Sequence, residues 1–117
     1  MIEITAKRNG EGICSITAEG HSGFAESGAD IICASVSSLI QALSVGLEDV
    51  LEMRGVRTVR RPEVPLMGFE WDDGTAEAQH IALTIAGSLR AVAESYPDYV
   101  AYRELDLEGQ NRQGGEV

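Results

Sequence analysis

The sequence predicts a two-layer α+β fold: a mostly antiparallel sheet of four to five strands carrying two long helices on one face. Three observations point there. Apolar residues alternate on either side of Asn9-Gly10, as in a hairpin. Two long stretches carry apolar stripes at three- and four-residue spacing, as in helices packed by one side. The elements come in the order strand, strand, helix, strand, strand, helix, with a short last strand. Once the first hairpin is antiparallel, covering one face of the sheet with both helices is the economical packing.

Each element follows from local pattern. Ile2, Ile4 and Ala6 alternate with Glu3, Thr5 and Lys7, so the first strand has one buried face. Residues 12–19 return, with Cys14, Ile16 and Ala18 on one side and Ile13, Ser15 and Thr17 on the other; the pattern leaves the inward side open. Gly20 closes that strand and begins a loop over residues 20–29 with glycines at 20, 23 and 28. Asp30 has the side chain of an N-cap, which would place Cys33 at the third helical position. From there Ile32, Val36, Leu39, Ile40, Leu43, Leu47, Val50 and Leu51 form a stripe that runs to about Arg54, with Gly55 as the C-terminal cap. Residues 56–61 read as extended, with Arg57, Arg60 and Arg61 as a solvated edge that discourages stray pairing. Pro62 and Pro65 bracket a bend before Met67, Phe69 and Trp71 alternate in a fourth strand. A second helix runs from about Thr75 to Glu94 on a stripe of Ala78, Ile81, Ala82, Ile85, Leu89, Val92 and Tyr96. Tyr99 to Leu105 supplies the last strand. No repeat or second core is visible, so residues 1–107 read as one domain and the polar residues 108–117 as a tail expected to be disordered.

Composition excludes several function classes. Of 117 residues, 44% are hydrophobic and 24% charged, which is ordinary for a globular chain. Nine Lys and Arg against nineteen Asp and Glu leave a net charge of -10, which repels phosphate backbones and anionic lipid and suits a basic partner. Nucleic acid is therefore not expected as a direct partner. Two cysteines are too few for a disulfide framework, and the N-terminus lacks the basic and apolar segments of a signal peptide. No run approaches eighteen consecutive apolar residues, so a membrane span is not expected and a cytoplasmic location is.

Chemistry concentrates between Gly20 and Leu39. A histidine, His21, stands on a glycine-punctuated loop, and a cysteine, Cys33, stands near a helix start. Helix starts carry unpaired N–H groups and partial positive charge, so a thiol there ionises more readily, and the thiolate is the nucleophile. An imidazole nearby takes that proton and returns it to a leaving group, while N–H groups of the helix start hold an oxyanion. The plainer reading makes Cys33 a small buried hydrophobe and His21 an ordinary loop residue. Asp30 either caps the helix or faces His21 and orients the imidazole. Ser37, one turn after Cys33, either bonds the thiolate or a substrate or bonds its own helix. Cys14 reads as core and His80 as structural or surface. One His and one Cys fall short of a metal-ligand set, so no metal or cofactor is expected.

The run Gly20-His21, Gly28 and Asp30-Ile31-Ile32-Cys33-Ala34-Ser35-Val36-Ser37 resembles the ribosomal-processing cysteine proteases called Prp, or YsxB-like proteins. The family pattern is a Gly-His pair, a short glycine-bearing loop, then Asp-Ile-x-Cys-Ala-x-Val-Ser. The resemblance extends over roughly residues 1–105, and its one departure is Ser35, where a small apolar residue is usual. It implies an endopeptidase that removes the N-terminal extension of a basic large-subunit ribosomal protein, number twenty-seven. It further implies catalysis by His21 and Cys33, support from Gly20, Asp30 and Ser37, no metal, and a homodimer. Two other functions compete: a non-catalytic ribosome-assembly factor that binds the same protein, and a different thiol acyl-transfer enzyme such as a small esterase.

Overall fold

The computed structural model describes residues 1–10, 12–20, 27–61, 66–72 and 74–107, with residues 27–30 described by backbone alone. The chain runs β1 (Ile2–Asn9), β2 (Gly12–Glu19), α1 (Ser27–Ser44, continued by a π-helical turn over Val45–Val50), β3 (Arg57–Val59), β4 (Leu66–Glu70), α2 (Ala76–Ser95) and β5 (Val100–Asp106). The five strands lie in the order β3-β4-β2-β1-β5. Every pairing is antiparallel except that of β5 with β1, which is parallel. The mostly antiparallel sheet with two helices on one face is the architecture that the sequence predicts. The parallel last strand was not anticipated. It arises because α2 brings the chain back to the start of β1, where Ile2 N donates to Tyr99 O at 2.8 Å.

One core holds the two layers together. Ile2, Ile4 and Ala6 of β1 and Ile13, Ile16 and Ala18 of β2 pack in a single cluster with Ile32, Val36, Ile40 and Leu43 of α1 and Ala78, Ala82, Ile85 and Leu89 of α2. Ile13 and Ile16 are both almost fully buried although they sit three residues apart in one strand. A β-bulge resolves this: Ser15 pairs with Lys7 but Ile13 pairs with Arg8, so Cys14 is the extra residue and the side-chain alternation resets across it. The carbonyl of Cys14 is then taken by Trp71 N at 2.9 Å, and Gln79 of α2 clamps Ile13, accepting from its N–H at 2.7 Å and donating to its C=O at 2.8 Å.

Both boundaries of α1 differ from the sequence reading. α1 begins at Ser27, so Asp30 is not its N-cap but lies inside its first turn, and Cys33 is the seventh helical residue rather than the third. The helix ends in the π-helical turn over Val45–Val50, with Glu52 in the left-handed region at φ 53, so Gly55 does not cap it directly. α2 runs within one residue of the predicted bounds, with the Thr75 hydroxyl accepting from Ala78 N as its N-cap, but Tyr96 is exposed rather than part of the buried stripe. The stretch Ile31–Val50 has the length and mean hydropathy, 1.6, of a membrane span, whereas the run-length reading gave none. In this fold it is a core helix, spending Ile32, Val36, Ile40, Leu43 and Leu47 on the shared cluster. The bend at Pro62 and Pro65 and the tail at 108–117 lie outside the described residues.

Charged groups tie down both sheet edges. Arg57 of the short edge strand β3 bonds Glu70 at 3.1 Å and Asp72 at 3.1 Å, and Arg61 reaches Glu19 at 3.5 Å. At the opposite edge Glu104 of β5 accepts from Arg8 at 2.9 Å, from Arg90 at 2.7 Å and from the Tyr102 hydroxyl at 2.7 Å. The bond from Arg8, then that from Tyr102, holds the Glu104 carboxyl at about 2. Burial, followed by the bond to Glu104, pushes the Tyr102 hydroxyl up to about 12. A carboxyl lowered on folding binds fewer protons in the folded state, so its stabilisation is complete above the ordinary value near 4.5 and is lost as pH falls towards 2. Glu104→Gln should therefore lower stability at neutral pH by about 1–2 kcal/mol and flatten the loss of stability across that acid window. Urea unfolding of both proteins as a function of pH measures this.

Candidate active site

The site forms where the two layers part at the end of the sheet that holds the start of β1, the end of β2 and the start of β4. Cys33 and Ser37 project from α1 one turn apart, as their spacing requires, and line a cleft of about 320 Å³. Its other walls are Val36 of α1, Ile2 of β1, Ala18 and Gly20 at the end of β2, and Leu66 and Met67 of β4. Three residues singled out from the sequence, Gly20, Cys33 and Ser37, are thus brought to one place from two elements. His21, which directly follows Gly20, lies outside the described residues, as do the rest of the loop to Glu26 and the side chain of Asp30.

Local geometry accounts for the residue types. Gly20 takes φ +95, and a Cβ there would stand 2.6 Å from Met1 O. Only glycine turns the chain there while packing its backbone against that of β1. Ser37 Oγ has no hydrogen-bond partner among the described residues, whereas Ser35 donates to Ile31 O one turn back at 2.9 Å. The helix-bonded serine is therefore Ser35, and the hydroxyl of Ser37 stays with the cleft. Cys33 is half-buried and shares no disulfide with Cys14.

The early start of α1 changes the electrostatics inferred from the sequence. The unpaired N–H groups belong to the first four residues, Ser27 to Asp30. Cys33 lies six residues beyond Ser27, about 9 Å along the axis, and the helix dipole acts chiefly within the first turn. Neither thiolate stabilisation nor an oxyanion site follows from the helix start at that distance. Cys14, the other thiol, sits at the bulge with Sγ donating to Lys7 O at 3.5 Å, and burial pushes it up despite Lys7 nearby. It has the character of a packed, unreactive thiol. His80 is exposed on α2. Among the described residues no group of three or more His, Cys, Asp or Glu is placed to hold a metal ion.

The walls of the cleft are what the sequence reading missed. Ile2, Ala18 and Met67 read as core positions of three separate strands, and nothing in their spacing links them to Cys33. The one local sign is Ala18, a small side chain in a strand whose other inward residues are Ile13 and Ile16.

The model of the family described as cysteine protease Prp matches residues 1–101. The chain belongs to the Prp family. It is therefore a cysteine protease, a hydrolase. Among Prp relatives, the ribosomal processing cysteine protease Prp of Mycoplasma genitalium is 30% identical over 108 residues, covering 92% of this chain and all of that one. The fold is shared with SMU.848 from Streptococcus mutans, with a TM-score of 0.75 at 24% identity over 91% of this chain and 95% of that one. It is shared as well with the essential ribosomal processing protease Prp of S. aureus in complex with a substrate peptide, with a TM-score of 0.69 at 22% identity over 89% of this chain and 99% of that one.

Proposed function

We propose that this Prp protease is an endopeptidase that removes the N-terminal extension of a large-subunit ribosomal protein, number twenty-seven, with Cys33 as nucleophile and His21 as its base. The observation that carries this reading is the cleft itself: the only cysteine of α1 opens onto an apolar groove beside the residue that precedes His21. In this reading the Cys33 thiolate attacks a peptide carbonyl, the C–N bond breaks as His21 delivers the proton to the leaving amine, and water then frees the acyl group from sulfur. Ser37 and Gly20 are supporting groups at the cleft wall, and Asp30 orients His21. The ribosomal processing named for the Mycoplasma genitalium relative supports the substrate assignment. The net charge of -10 suits a basic substrate. A homodimer belongs to the same reading and is read by mass in solution.

Incubation with the cognate ribosomal protein, followed by intact mass, tests the assignment. Wild type should release a short N-terminal peptide, and Cys33→Ala should release none. Binding without cleavage by either protein, under reducing conditions, would replace the protease assignment of this site with the assembly-factor function.

A further inference from the structure

We draw no further inference here: the strongest candidate, the apolar groove between the two helices where Ala42, Gly46 and Val50 of α1 and its π-helical turn meet Ile81 and Thr84 of α2, is an open surface patch, and nothing in the structure shows what covers it.

Discussion

Gly68→Ala is expected to lower the unfolding free energy by about 3 kcal/mol. Gly68 lies in β4 between two neighbours, paired with Thr17 of β2 and Val59 of β3. A Cβ there would stand 2.5 Å from Ile16 O, 2.6 Å from Thr17 Cγ2 and 2.7 Å from Thr17 Cα. Two of those three atoms are backbone, so no rotamer change relieves the clash. The added methyl has to push β4 off β2, and that loosens the ladder on which Leu66 and Met67 are carried to the cleft. Urea unfolding checks the size: with a slope of about 1–3 kcal/mol/M, the midpoint should fall by roughly 1–3 M. Activity should fall together with stability. A midpoint within error of wild type would mean that the strands separate at almost no cost, contrary to the close packing around Gly68.

The same position shows what kind of information the sequence carries about this fold. Hairpin, helices and strand order along the chain come from short-range pattern, and α2 is nearly as its apolar stripe describes it. What depends on pairing is not visible in that way. The inward side of β2 is ambiguous in the sequence because the bulge at Cys14 resets the alternation, and only the partner strand reveals the extra residue. The direction of β5 depends on where α2 delivers it. The start of α1 was misplaced for a different reason: Ser27 and Asp30 are both residues that cap helices, and the apolar stripe begins only after the second of them. Of the cleft, Cys33 and Ser37 are legible from their one-turn spacing, and Gly20 from the Gly-His pair of the family resemblance. The apolar floor was not legible, since Ile2, Ala18 and Met67 come from three strands and each has the appearance of ordinary core.

His21→Ala is expected to reduce kcat/KM for peptide cleavage by roughly 10³-fold, within the range that a general base contributes. The demand on His21 in this reading is high because the helix start lies about 9 Å from Cys33 along the axis and contributes little there. The thiol then relies on the imidazole both to ionise and to hand a proton to the leaving amine. Two groups that act as one unit are strongly non-additive. Cys33→Ala should abolish turnover, and the His21→Ala/Cys33→Ala double variant should be no worse than Cys33→Ala alone. Initial rates on a fluorogenic peptide, measured with and without free imidazole, separate a chemical role from a structural one. Partial recovery of His21→Ala by imidazole, with an unchanged melting temperature, is the expected signature of a lost base. A His21→Ala protein that retains activity within about threefold would place the base elsewhere in the loop or in the substrate. A large loss that imidazole does not restore, accompanied by a lower melting temperature, would make His21 a residue that holds the loop against the cleft rather than one that moves the proton.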